Sequence, residues 1–434
     1  MTSEVKAAPA PDPSIVRWNF VIIVLDAGFF FFAMAFLDPV AILPVLLNDL
    51  GHSKLIVGLM SGLQRAGWLI PQLLAASFVL HRPRRKPFVV YPCLVGRIPF
   101  YLLAIVFNLD WAATHQRSAL LLLVIGYTFF FFTDGLCGVP WHDIIGRTIP
   151  ARLRGRFFGT IQFVGGLLAI GSGAIVHKVL ADTSLAFPHN YGRLFIYLAV
   201  GMTLSTICLA LIREPGGAVV SDRQSLPSLL RAIPSTLRTH PRLYQAIIGQ
   251  ILCGMGSIAV PFYAIYAESK LHLPASAGGT FVWAATLGSV GASAIWAYLS
   301  DRHGSTSAIR AASWLIIAVP TCALLVPAMV RGTALGYFYP LVFLLNGAVW
   351  GGMWLRFTNY ILEIAPDDIR PLFLGLQATL SAPTIIMPLL GGWLLNLVSY
   401  QVLFLVAAVA GLAGLVYVHR LPEPRHEVTG NSAA

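Results

Sequence analysis

Charge is what this sequence has least of. Asp, Glu, Lys and Arg supply 11% of its 434 residues, against about a quarter in an ordinary soluble domain. Hydrophobic residues supply 57%, and the mean hydropathy of +0.76 places the chain in a lipid bilayer. Cysteine is scarce too. Cys93, Cys137, Cys208, Cys253 and Cys322 all fall inside apolar runs, so neither disulfides nor a metal site are expected. A phosphate-cradling G-x-x-x-x-G-K-[ST] loop is absent, which argues against direct drive by ATP. The period-two alternation of a lipid-facing barrel is absent as well. At membrane depth no histidine converges on carboxylates. His142 beside Asp143 stands at a membrane edge, so the chain is not read as an enzyme.

What is present is a series of long apolar runs. A spanning helix needs about 20 mostly apolar residues. Twelve segments qualify: 18–46, 54–80, 87–109, 118–143, 157–180, 192–212, 243–268, 277–299, 308–330, 335–361, 371–397 and 400–419. The expected fold is an all-α membrane protein with two pseudo-symmetric six-helix bundles. A tail, 1–17, precedes the first bundle, 18–212. A linker, 213–242, joins it to the second, 243–419, and a tail, 420–434, follows. The first apolar run is too long for a signal peptide and is expected to stay in the membrane. Gly58-x-x-x-Gly62 and the glycines at 165, 166, 171 and 173 suggest close helix contacts. The runs Phe29 to Phe32 and Phe129 to Phe132 cover every face of a helix, so most of each is packing.

The net charge of +11 is a matter of topology. With the N-terminus inside, only Lys54, Arg117, Lys178, Arg193, Lys270 and Arg331 of the 29 Lys and Arg fall outside. Arg65, Arg97 and Arg356 lie at membrane depth, and the rest lie inside. That bias predicts cytoplasmic termini and removes the case for nucleic-acid binding. Within the linker, residues 226–238 alternate apolar and basic residues, and they read as a tether lying on the anionic inner leaflet.

The chain also repeats itself. Ser77…His81-Arg82-x-Arg84-Arg85-Lys86 has an echo 220 residues later, Ala297…Asp301-Arg302-x-Gly304. Pro150-x-x-x-Arg154-x-x-x-x-Gly159 returns as Pro366-x-x-x-Arg370-x-x-x-x-Gly375. These loops resemble the G-x-x-x-D-R-x-G-R-R loop that the major facilitator superfamily carries between the second and third helices of each half. The second copy lacks the first glycine and the final basic pair. The first copy has His81 for the acid and lacks both glycines.

The resemblance implies two bundles rocking about a central cavity walled by the first, fourth, seventh and tenth helices. It also implies a cytoplasmic gate. There Asp301 with Arg302 would face Arg152, Arg154 and Arg156, and Arg82, Arg84, Arg85 and Lys86 would face Asp367 and Asp368 beside Arg370. His81, in place of the acid, would make that gate pH-sensitive.

Charges inside the membrane are costly and usually face a cavity or a partner. Asp26, Asp38 and Asp134 are the acids that could carry a proton across a polar cavity floor. Arg65 and Arg356 could hold an anionic group or act as counter-ions. Gln72, Tyr127, Trp141, Asn359 and Glu363 share helical faces with them, and Trp350 and Trp354 form a second stripe on the tenth helix. Arg97 is read as structural. Asp38 precedes Pro39, so the first helix should kink there.

The resulting reading is a secondary transporter of a small solute, coupled to protons, working as a monomer without cofactors in the plasma membrane (the inner membrane of a bacterium). The alternatives are a polyspecific exporter of amphipathic compounds, a non-transporting receptor and an intramembrane enzyme. The fifth helix lacks the glycine–proline pattern of the superfamily's proton-driven drug antiporters, which weighs against the exporter.

Overall fold

The computed structural model describes residues 12–51, 53–79, 82, 84–214, 234–351, 353–366 and 370–424. His81, Asp367 and Asp368, and most of 226–238, lie outside them.

Among the described residues the secondary structure is helical throughout. The first half runs α1 (Pro13–Ala35), α2 (Leu43–Gly51), α3 (Lys54–Val79), α4 (Pro87–Gly96), α5 (Ile98–Phe107), α6 (Trp111–Thr114), α7 (Gln116–Thr148), α8 (Ala151–Ala181) and α9 (His189–Leu211). The second runs α10 (Pro241–Met255), α11 (Phe262–Ser269), α12 (Ala277–His303), α13 (Ser305–Met329), α14 (Leu335–Phe338), α15 (Pro340–Trp350), α16 (Met353–Ile364), α17 (Arg370–Ser381), α18 (Met387–Leu394) and α19 (Tyr400–Val418). Asp12 caps α1 by accepting from the Ser14 N–H at 2.9 Å, and that bond lowers its carboxyl below the usual range.

Among the described residues, eleven helical spans are long and apolar enough to cross a bilayer. The twelfth expected segment is α3, continuous over 26 residues but outside that set. Ser61, Gln64 and Arg65 turn one of its faces to a cavity, which is why its composition is less apolar.

Several expected runs are broken in the middle. The first breaks between Ala35 and Leu43, at the expected Pro39. The seventh breaks between Met255 and Phe262, at Pro261 and so 222 residues later. Proline has no N–H to give to the preceding turn. Asp38 Oδ1 satisfies two freed donors, Val40 N at 2.9 Å and Ala41 N at 2.7 Å. Further breaks fall at Arg97 before Pro99, at Gly351, and at the 3-10 turn Ala382–Ile386. By contrast, α7 runs through Pro140 unbroken.

Within the first half α1 packs on α8 and α9, and α3 packs on α7. Within the second, α12 packs on α15 and α13 on α19. The halves meet where α8 meets α12, α3 meets α18 and α2 meets α11. These contacts lie toward the end away from the termini. Glycine permits them. A Cβ on Gly58 would stand under 3.0 Å from Pro388 O, and one on Gly392 would do the same at Lys54 O. Among the phenylalanine runs, Phe130 is core, Phe129 and Phe132 are exposed, and Phe31 and Phe131 line the cavity. All five cysteines are free thiols, with Cys93 Sγ 3.0 Å from Cys137 Sγ.

Candidate functional site

A cavity of about 440 Å³ lies between the halves. Its wall is drawn from both, with Asp38, Gln64, Arg65, Gln162 and Trp68 on one side and Gln250, Asn346, Trp350 and Thr384 on the other. The helix breaks at Pro39 and Pro261 both open onto it. Arg65 reaches across, with its guanidinium carbon 4.6 Å from the centre of the Trp350 ring.

The three membrane acids do not form one floor. Asp38 lines the cavity, but its carboxylate caps the break in the first helix. Asp26 and Asp134 do not line it. They sit with Arg97 inside the first bundle. Asp26 Oδ1 accepts from Ser205 Oγ at 2.5 Å and Asp26 Oδ2 from Trp141 Nε1 at 3.3 Å. Arg97 donates to Ser205 Oγ at 2.9 Å, to Met202 O at 2.7 Å and to Thr206 Oγ1. Asp134 faces both Arg97 and Asp26. Two carboxylates thus lie near one guanidinium, Asp26 through the shared Ser205 hydroxyl, and one proton makes the three groups neutral together.

Helical spacing reports faces along one helix, so it gives no sign that Arg97 lies among residues of three other helices. A usable signal was the run Gly96-Arg97-x-Pro99, a charge at a glycine–proline break. A Cβ at Gly96 would strike Thr133 of α7, so glycine is what brings Arg97 close to that helix.

The other candidates scatter. Tyr127 is fully buried in the core, and its hydroxyl has no hydrogen-bond partner among the described residues. Gln72 lies against Gly138 of α7 and Asn359 is half-buried on α16; neither lines the cavity. Trp354 and Arg356 belong to α16, and their side chains lie outside the described residues.

At the end that carries the termini, the expected gate residues serve mostly their own halves. Arg85 braces the first half. It is buried, with Nε 3.0 Å from Asp143 Oδ2, and Arg147 Nε is 2.8 Å from the same oxygen. A guanidinium without solvent needs a carboxylate within reach, and the end of α7 supplies it. Glu214 accepts from the backbone N–H groups of Arg85 and Lys86 at 2.5 and 2.9 Å. The second half repeats this scheme, with Ser305, Thr306 and Glu363 lying 220 residues after Arg85, Lys86 and Asp143 and Glu423 in the place of Glu214. Ser305 Oγ donates to Glu363 Oε2 at 2.7 Å, and Thr306 N donates to Glu423 Oε2 at 3.2 Å. Arg154 bonds Gly146 O and Ile149 O at the end of α7, and Arg302 bonds the Tyr298 hydroxyl. Arg82, Arg84, Arg156 and Asp301 are exposed at this end.

At the opposite end a second charged group spans the halves. Glu268 of α11 faces Asp49 of α2 and Lys54 of α3. Lys54 Nζ donates to Asn48 Oδ1 at 2.5 Å, and the Tyr191 hydroxyl donates to Asp49 Oδ2 at 3.3 Å.

Comparison with known proteins agrees with this architecture. Residues 246–434 match the sequence model of the Major Facilitator Superfamily. No curated protein matches the chain in sequence. Among solved structures, a bacterial homologue of the iron transporter ferroportin in an inward-facing state is similar at 15% identity. The match covers 93% of this chain and 98% of that one, with a TM-score of 0.70. The nucleoside transporter NupG is similar at 14% identity over 93% and 99%, with a TM-score of 0.68. A D-xylose–proton symporter is similar at 14% identity over 93% and 98%, with a TM-score of 0.68. The second half thus matches the superfamily's sequence model, and the chain shares the fold of these transporters over its length.

Proposed function

We propose that this chain is a transporter of the major facilitator superfamily that moves a small solute across a membrane by alternating access, with protons as the coupling ion. The observation that carries the reading is the cavity between the halves, closed away from the termini by glycine contacts between backbones. Contacts of that kind can part without breaking a fold, since they join two separately packed bundles. The moving units would be 18–212 and 243–419, with 213–242 as tether and both termini cytoplasmic. The chain would act as a monomer in the plasma membrane.

The cluster of Asp26, Asp134 and Arg97 supports the proton. Its two acids and one base differ by a charge that a single proton removes, and it sits behind the cavity on helices that flank it. In the opposite conformation the exposed Arg82, Arg84, Arg154, Arg156 and Asp301 would come together at the cytoplasmic end, with Arg302, Arg370 and Lys86 beside them and His81, Asp367 and Asp368 completing the set. Export of amphipathic compounds is a second reading, favoured by the aromatic lining of Phe31, Trp68, Phe131 and Trp350.

The test is flux in proteoliposomes with an imposed pH gradient, against a panel of sugars, nucleosides, carboxylates and amphipathic cations. Accumulation of one class that collapses with a protonophore supports the reading. Flux unchanged by the gradient would remove the proton. No flux of any class, with a cavity cysteine labelled from one side only under every condition, would remove transport.

A further inference from the structure

We infer that the cavity takes an organic monoanion, a carboxylate on an aromatic or apolar body, with its acid group held by Arg65. The inference rests on the transport reading above and names its substrate class.

Two ionisable side chains among the described residues of the wall bear on it, Arg65 and Asp38. Their situations differ. Asp38 is engaged, since its carboxylate accepts the Val40 and Ala41 N–H groups and holds the broken first helix together. Arg65 makes no ion pair or hydrogen bond among the described residues; its partner is the face of Trp350. A cation at membrane depth without a carboxylate is expensive to maintain. A solute carrying one negative charge offsets that cost each time it binds. Arginine's flat fork matches a carboxylate with two parallel hydrogen bonds.

The rest of the wall describes the rest of the solute. Phe31, Trp68, Phe131 and Ile385 give apolar and aromatic surface. Gln64, Gln162, Gln250 and Asn346 add neutral amides, which select polar substituents without adding charge. A second negative charge on the solute would find no second free cation among the described residues of the wall.

The position of Arg65 ties recognition to the conformational cycle. Arg65 belongs to the first half and Trp350 to the second, so the stacked pair bridges the two units. A carboxylate on the open edge of the guanidinium would be bound by both halves at once.

The experiment uses the purified, detergent-solubilised full chain and matched pairs: benzoate with benzamide, and hexanoate with hexanamide. Thermal stabilisation reports binding. The carboxylates should raise the melting temperature of the wild type and the amides should not. Arg65→Gln should weaken the benzoate response roughly tenfold or more, the loss of one charge-assisted pair, while Arg65→Lys keeps part of it. The unliganded melting curve of each variant checks that it is folded. Equal responses to benzoate and benzamide, an undiminished benzoate response in Arg65→Gln, or no response of the wild type to either carboxylate each overturn the inference. If uridine or glucose crosses proteoliposomes while carboxylates leave the wild type unmoved, the substrate class is wrong and transport stands.

Discussion

Arg85 lies with Nε 3.0 Å from Asp143 Oδ2, its side chain fully buried and that of Asp143 27% exposed. The pair ties the loop after α3 to the end of α7. The second half places Ser305 and Glu363 at the corresponding positions, 220 residues on. The first brace pairs a guanidinium with a carboxylate and the second includes a hydroxyl donating to a carboxylate, so the two halves are built alike with different side chains.

Removing the acid of the first brace should be costly. Asp143→Ala leaves Arg85 buried without that carboxylate. Loss of a fully buried pair costs about 3–5 kcal/mol, and the partial exposure of Asp143 reduces this to about 2 kcal/mol. A fall of several degrees in the melting temperature in detergent is expected, largely restored by Asp143→Glu. Glu363→Gln, which keeps an acceptor for Ser305, should cost less.

The distal contact should resist a single methyl group. In Gly58→Ala the new carbon meets Pro388 O, a backbone atom that cannot swing aside. Overpacking costs about 1–3 kcal/mol, enough to shift a two-state ratio on the order of tenfold or more. In a cysteine-free background, Thr286→Cys in the cavity should label faster from the distal side when Gly58→Ala is added. Gly171→Ala, where nothing lies within 4 Å, is the control and should leave the rate unchanged.

Asp134→Asn should separate stability from coupling. It leaves Asp26 and Arg97 in a one-to-one pair with the Ser205 bridge intact. The melting temperature should stay near that of the wild type, while accumulation driven by a pH gradient is lost and counterflow persists. Asp26→Asn removes a hydrogen-bonded acid and should lower both. Gradient-driven accumulation by Asp134→Asn at the wild-type rate would release this residue from any part in coupling.

Lys54→Met should loosen the distal end. Lys54 stands among Asn48, Asp49 and Glu268, and 5.8 Å from the centre of the Tyr400 ring. Without it, two carboxylates on opposite halves face each other. Faster distal labelling of Thr286→Cys is expected, and Lys54→Met combined with Glu268→Gln should return it toward the wild-type rate.

Much of this was legible along the chain. Run length and sparse charge placed the helices, because a bilayer demands about 20 apolar residues per crossing. Pro39 marked the break in the first helix, and the loop echo marked the repeat. The site was legible only in part. Asp26, Asp38 and Asp134 were recognisable as acids at depth, but periodicity along one helix cannot say which other helix a carboxylate meets. Asp38 became a cap, and Asp26 and Asp134 joined Arg97. Arg85 stands in a basic run, and residue order alone does not show that its side chain is buried against Asp143.

The sequence by itself determined that the chain is a helical membrane protein built twice, since hydropathy and repetition are local properties written in residue order. Only the tertiary structure decided which charges face the cavity. That depends on how helices far apart in sequence rotate against one another, and the rotation is set by small contacts such as Gly96 at Thr133 and Gly58 at Pro388. It left Arg65 stacked on Trp350 across the cavity and sent Arg85 into the brace with Asp143.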